Sequence, residues 1–192
     1  TQALAEAKRL DPKKPLYAFM EAQMAASRGD TAAAREAVTA ALQQKPNFSQ
    51  ALLLLAELDI AEGNIPGAIE ATRAILTLEP QNPARYYQLG ILFTAAEQNE
   101  NALQAYTAAL TLDPNFANAR YLRALLLLDQ GQSDQALQEL KIVAETNADN
   151  EQLSALISSV ESGDIPNTAI TPTDLISDAE PVAGDSTVTS PV

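Results

Sequence analysis

The sequence contains no cysteine, no histidine and no tryptophan. Without Cys or His, the chain has no Cys/His zinc or haem site, no thiol nucleophile and no Ser-His-Asp triad. Disulfide bonds are excluded as well, so the cysteine count carries no information about the compartment. A Gly-rich phosphate loop is also missing. We therefore expect no cofactor, no metal site and no catalytic residue.

Positive charge is scarce, because 12 Lys and Arg stand against 25 Asp and Glu, for a formal net charge of −13. This balance repels phosphate backbones, so we expect no nucleic acid among the partners. The longest apolar runs, at residues 51–56 and 124–128, are far shorter than the roughly 20 residues that cross a bilayer as a helix. We expect no membrane insertion within this segment.

The chain begins at Thr1 rather than at Met, which favours its interpretation as a piece of a longer protein. A signal peptide or an anchor upstream is then neither indicated nor denied. The compartment stays open: either the cytoplasm, or a bacterial membrane reached through missing upstream sequence.

What the sequence does contain is a period of 34 residues. The composition of the whole sequence favours helix, since Ala and Leu are abundant and only 7 residues are Gly. Two residue classes keep the same 34-residue spacing, namely the prolines Pro12, Pro46, Pro80 and Pro114 and the alanines Ala34, Ala68, Ala102 and Ala136. A fixed period of this length indicates stacked structural repeats.

These residues make the chain resemble the tetratricopeptide repeat (TPR) family, whose 34-residue unit is a pair of antiparallel helices. Residues 83–116 match its eight signature positions with Tyr86, Leu89, Gly90, Phe93, Ala102, Tyr106, Ala109 and Pro114. Further copies are expected at residues 15–48, 49–82 and 117–150, with the second half of a truncated copy at residues 1–14. The resemblance implies an all-α fold, a right-handed superhelical solenoid with a concave and a convex face.

The turn inside each unit has its own signal. Gly29, Gly63 and Gly131 lie 34 or 68 residues apart and suit a left-handed turn residue between two helices. Glu97 interrupts this series, and we expect Asn99 to cap the helix that follows it. Because no hairpin of this kind buries its apolar face alone, the stacking of units should create the core.

The last part of the chain departs from the repeat. Residues 151–163 place Leu153, Leu156, Ile157 and Val160 on one stripe, which predicts a capping helix with Asn150 and Gly163 as its caps. Residues 164–192 are acidic, rich in Thr and Pro and without Lys or Arg. This composition predicts a disordered tail, in which residues 171–176 form either a docking motif or part of a plain linker.

The resemblance also implies where a ligand would bind, since ligand-facing residues of the family lie on the first helix of each unit. The fifth positions are Phe19, Leu53, Tyr87 and Tyr121, the ninth are Gln23, Glu57, Ile91 and Leu125, and the second are Leu16, Gln50, Ala84 and Asn118. Tyr87 and Tyr121 form either an aromatic ladder for a partner or part of the packing. Because apolar residues replace the basic ones of the family's carboxylate-binding members, we expect no such clamp.

Charged residues allow two interpretations each. Arg120 and Arg123 replace apolar residues of the family pattern. We expect them either to pair with Asp129, Asp134 or Glu139 or to form an anion-binding patch. Lys8, Arg9, Lys13 and Lys14 form a basic cluster. Its positive charge either offsets the dipole at a helix C-terminus or binds a phosphate or acidic partner. Paired carboxylates such as Glu57 and Asp59 should be solvated on helix surfaces rather than catalytic.

The sequence thus predicts a non-enzymatic protein–protein interaction scaffold that binds a peptide or helix of a partner in the concave groove. The alternative is the soluble C-terminal TPR region of a larger bacterial membrane or cell-envelope protein. Acidic Thr/Pro-rich tails after repeats are similar to extensions of such proteins, including O-antigen ligase-like polymerases. In that case the array recruits components for chemistry located upstream.

Overall fold

A computed structural model describes residues 14–164 of the chain, together with Glu6 and Arg9. Within this part the elements are α-helices only: α1 Pro15–Ala26, α2 Thr31–Gln44, α3 Ser49–Ala61, α4 Ile65–Leu78, α5 Pro83–Ala95, α6 Asn99–Leu112, α7 Ala117–Asp129, α8 Ser133–Thr146 and α9 Glu151–Ser162. Each helix packs against the next one along the chain. The predictions for residues 1–5, 7–8, 10–13 and 165–192, including the 171–176 motif, lie outside the described residues.

The turn within each helix pair uses a left-handed residue at one repeated position. Gly29, Gly63 and Gly131 have φ of +74°, +73° and +72°, as the glycine series predicts. Glu97 occupies the equivalent position with φ +57°, although a left-handed conformation costs a residue with a Cβ about 1–2 kcal/mol. The stacking of α5 on α6 therefore imposes this turn even where the sequence supplies no glycine.

The expected capping role of Asn99 is wrong. The residue before α6 is Gln98, whose side chain makes no capping hydrogen bond, and Asn99 is already the first helical residue. Its amide instead donates to the Asp129 carboxylate, with 3.3 Å between Nδ2 and Oδ2. Because Asp129 ends α7, this contact joins the turns of two successive helix pairs, which local sequence does not reveal.

Helix α9 closes the described array. The Asn150 side chain accepts a hydrogen bond from the Leu153 backbone N–H at 2.9 Å, and Gly163 ends the helix with φ +78°. Both caps are confirmed. Leu153, Leu156 and Val160 are buried, and α9 packs on α8, so the apolar stripe of this helix covers the end of the stack.

Small residues let the two helices of each pair approach closely. The repeated alanines Ala34, Ala68, Ala102 and Ala136 are fully buried. At Gly90 the approach leaves no room for a side chain, since an added Cβ would lie 2.4 Å from Cε1 of Tyr106. Residues equivalent to this pair in the next unit are Ala124 and Leu140. Tyr106, the largest fully buried side chain of the described residues, therefore packs against Gly90, where the other units have alanine.

Among residues 14–164 the buried apolar side chains form two clusters, one drawn from residues 18–58 and the other from residues 68–160. Arg35 of α2 and Asp59 of α3 form an ion pair, with 2.8 Å between Arg35 Nη2 and Asp59 Oδ1. Asp59 also accepts a hydrogen bond from Asn64 at 2.7 Å, and a Cβ on Gly67 would clash with both side chains.

The structure thus corrects the expectation that Asp59 is solvated, because this aspartate is only 2% exposed. Its equivalents in the other units are the apolar Ala25, Phe93 and Leu127, and those of Arg35 are Ile69, Leu103 and Leu137. Two opposite charges therefore replace two apolar positions that come together between successive units. This joint deviation from the repeat was the sequence signal for the buried pair.

Candidate functional site

The first helices α1, α3, α5 and α7 carry the residues predicted to contact a partner. We call the surface formed by their second, fifth and ninth positions the first-helix face. Of the eight predicted contacts, Gln23 and Glu57 are exposed and Leu53, Tyr87 and Tyr121 are partly buried. These five side chains reach solvent from the first helices of four successive units.

The other three predicted contacts are buried. Phe19, Ile91 and Leu125 retain 7%, 3% and 8% of their accessible surface. Phe19 packs against Phe48 with 5.0 Å between ring centroids, and Ile91 and Leu125 belong to the larger apolar cluster. They position the accessible residues of the face, and their assignment as partner contacts stays a prediction.

The two tyrosines of the face have different surroundings. The Tyr87 ring packs against Phe116 and Tyr106, with centroids 4.9 and 6.1 Å apart. Burial raises the pKa of the Tyr121 phenol above its usual value. Tyr87 is therefore held from within the array, while Tyr121 presents a partly desolvated hydroxyl. The proposed ladder on which a partner stacks stays a prediction.

Glu57 is the charged member of the predicted contact set. Although this side chain is exposed, partial burial of its carboxylate raises its pKa, and the positive charge of Arg85 acts in the opposite direction. Arg85 is itself buried, and donates to Glu79 at 3.3 Å and to Gln88 at 2.8 Å. Arg85 was not among the predicted site residues; it stands where other units have Tyr17, Ala51 and Ala119.

Arg120 and Arg123 both pair with Glu139, at 2.7 and 2.5 Å. Glu139 is therefore the partner among the three acids considered. Arg120 also donates to the Pro114 carbonyl at 2.6 Å and Arg123 to the Thr107 hydroxyl at 3.2 Å. The interpretation as a local salt bridge is confirmed, since both guanidinium groups are paired with the same carboxylate.

The basic cluster is described only in part. Arg9 pairs with Glu6 at 2.8 Å, and the Lys14 ammonium lies 5.6 Å from the centre of the Tyr17 ring. Lys8 and Lys13 lie outside the described residues. In the part of the chain that the structure covers, no group of three or more Asp or Glu could hold a metal ion, and none of the helices is long and apolar enough to cross a membrane.

The repeated helix pairs and their shared turn positions agree with a known family. The family model described as tetratricopeptide repeat matches residues 25–90 and 93–160. The chain belongs to the TPR family. No curated protein matches the sequence at a significant level.

Solved structures of TPR proteins share the fold. A crystal structure of MamA is 19% identical, with a TM-score of 0.68 over 84% of this chain and 89% of that one. YrrB, described as a TPR protein with an unusual peptide-binding site, is 19% identical, with a TM-score of 0.68 over 92% of this chain and 91% of that one. At these identities the likeness shows an all-α TPR solenoid and not a shared ligand.

The family bears on function at a general level. The TPR fold supports a protein-interaction scaffold, and TPR proteins bind protein or peptide partners. They are generally non-enzymatic, although one structural neighbour is an O-GlcNAc transferase of Thermobaculum terrenum. That neighbour is 25% identical with a TM-score of 0.54, and the match covers 69% of this chain and 26% of that one. The cell-envelope alternative stays a prediction.

Proposed function

We propose that this TPR chain is a non-enzymatic scaffold that binds a peptide or helix of a partner protein on the first-helix face. The observation that carries the proposal is the placement of accessible side chains. Leu53, Tyr87 and Tyr121 occupy equivalent positions of successive units and remain partly accessible. Spacing by whole repeats gives a continuous surface that suits an elongated partner. The peptide-binding site of YrrB supports such a role on this fold.

Packing beneath the face supports the same proposal. Tyr87 is braced by Phe116, and the buried Ile91 and Leu125 lie one helical turn from Tyr87 and Tyr121. A side chain that is already ordered loses little conformational entropy when a partner binds, so more of the contact energy appears as affinity. Partly exposed tyrosines combine a large apolar area with a polar hydroxyl, as interface residues commonly do.

The charges of the described residues argue against catalysis. Acid–base chemistry on the face would need a second titratable group near Glu57, yet Asp59 on the same helix is bound by Arg35 and Asn64. Arg85 is likewise engaged by Glu79. We therefore assign no enzymatic reaction to this chain. The net charge of −13 supports a protein partner rather than a nucleic acid.

Site-specific crosslinking tests the proposal. A benzophenone amino acid is placed at Gln23 or Tyr121 on the first-helix face, and at Gln104 or Gln138 as controls. The two control positions are exposed on the second helices α6 and α8. After irradiation in cells that produce the protein, mass spectrometry should identify the same partner from both face positions and not from the controls. The proposal would be contradicted if the control positions on α6 and α8 captured the same partner equally well, or if Gln23 and Tyr121 captured no partner in common.

A further inference from the structure

The first-helix face has one charge, and it is negative. Its twelve positions contain Glu57 but no Lys or Arg, and the remainder are apolar, amide or tyrosine side chains. Glu57 lies one helical turn after Leu53 on α3. The next unit places Tyr87 at the position equivalent to Leu53. A carboxylate therefore borders the apolar part of the face near the middle of the array.

Glu57 differs from three other carboxylates of the described structure, which are held by arginine. Asp59, Glu79 and Glu139 each form an ion pair with arginine, at distances of 2.8, 3.3 and 2.5 Å. Glu57 has no ion pair or hydrogen bond of this kind with residues 14–164. Arg85 influences it through its charge, but Arg85 is bonded to Glu79 and Gln88.

An unpaired carboxylate beside apolar surface gains most from a cation brought by a ligand. Burial already removes part of its hydration, and a further loss of water would cost free energy unless a positive group replaced that water. An acidic ligand would add repulsion to this cost. The overall negative charge of the protein acts in the same direction by attracting cationic segments.

We infer that the partner segment combines apolar side chains with a lysine or arginine, and that Glu57 receives this cation. The apolar side chains then contact Leu53 and Tyr87, one turn and one repeat away. This inference rests on the proposed function, because it requires that a peptide occupies the first-helix face. It adds the chemical class of that peptide, which is cationic and apolar rather than acidic.

Selection from a display library of random twelve-residue peptides tests the inference without a known partner. The library is applied to the wild-type chain, to Glu57→Gln and to Glu36→Gln. Glu36 is an exposed acid on α2, so Glu36→Gln makes the same change of net charge away from the face. We expect the wild-type and Glu36→Gln proteins to enrich Lys and Arg about threefold over the starting library. Glu57→Gln should not enrich them.

A double-mutant cycle then measures the contact itself. The best selected peptide and its Lys→Gln or Arg→Gln variant are titrated by fluorescence anisotropy against wild type and Glu57→Gln. Loss of the peptide cation should weaken binding to the wild type about three- to tenfold, and binding to Glu57→Gln less than about twofold, as for a partly desolvated ion pair.

Each other outcome contradicts a stated claim. Equal enrichment of basic residues by all three proteins would overturn the role of Glu57, because a general field would then explain the preference. Bound peptides without an excess of Lys or Arg would overturn the inference and leave the proposed function intact. If the wild type retained no peptide above background, the proposed function itself would fall, and the inference with it.

Discussion

Removing Arg35 should destabilise the protein more than removing its partner Asp59. The Asp59 side chain is 4% exposed, whereas the Arg35 side chain is 32% exposed. Arg35→Ala leaves a buried carboxylate with the Asn64 amide at 2.7 Å as its remaining side-chain partner. Asp59→Ala leaves an arginine that reaches solvent and still pairs with Glu62 at 2.8 Å. The two halves of one ion pair are therefore not equivalent.

The magnitudes follow from these environments. Loss of one partner from a buried ion pair costs about 3–5 kcal/mol, because the other charge is left uncompensated. For Arg35→Ala we expect about 3 kcal/mol, at the lower end of that range, since Asn64 still donates to Asp59. For Asp59→Ala we expect about 1–2 kcal/mol, because the two donors that lose their acceptor are accessible to water.

Urea denaturation followed by circular dichroism measures these differences. Glu70→Ala is the control, because it removes an exposed acid that pairs with Arg73 at 3.1 Å, and it should cost less than about 1 kcal/mol. The double variant Arg35→Leu/Asp59→Leu reproduces Leu103 and Leu127, the equivalent residues of the two following units. It should lie within about 1 kcal/mol of wild type or exceed it, as apolar replacements of buried pairs often do.

Two results would refute this reasoning. If Asp59→Ala cost as much as Arg35→Ala, the difference in burial would not govern the energy of the pair. If the double leucine variant lost as much stability as the two alanine variants together, the position would require the charges rather than tolerate them.

Three further predictions concern single contacts. Gly90→Ala should lower stability by about 1–2 kcal/mol in urea denaturation, because the cost of overpacking against Tyr106 exceeds the gain in helix propensity. The double variant Gly90→Ala/Tyr106→Leu should recover most of the lost stability. If Gly90→Ala lost no stability, the close contact with Tyr106 would be contradicted. Asn150→Ala should cost about 1 kcal/mol by removing the cap on the Leu153 N–H, whereas Asn150→Asp should not. Alkaline titration at 295 nm should show Tyr106 ionising only as the protein unfolds, since burial raises its pKa far above the usual value.

The pH dependence of stability follows from the difference between the Tyr106 pKa in the unfolded chain and in the folded protein. The unfolded chain releases the Tyr106 proton near pH 10, while the folded protein retains it, so the free energy of unfolding is constant below about pH 10 and falls above it. The Tyr106 hydroxyl lies 3.2 Å from the Thr94 hydroxyl in the core. Tyr106→Phe should shift the alkaline unfolding midpoint upward. Ionisation of Tyr106 in the folded protein, without unfolding, would contradict the burial argument.

The repeat architecture was predictable because its signals are local and recur. A left-handed turn residue, a small residue where two helices meet and an apolar stripe each need only a few neighbouring positions to be recognised. Gly63, Ala68 and the stripe of α9 therefore lie in the structure as their spacing predicts. Glu97 shows the limit of this approach, since the stacking of α5 on α6 imposes the turn without the expected residue.

The amino-acid sequence alone determined the 34-residue period and indicated helices, and its resemblance to the TPR family supplied the positions predicted to contact a partner. Only the tertiary structure decided which of those positions remain accessible. Phe19 and Glu57 are both predicted contacts, yet one is buried and the other exposed. Burial depends on side chains supplied by other helices, as Arg35 and Asp59 also show by pairing across 24 positions. Periodicity places a residue on a helix, but packing between helices determines what that residue can contact.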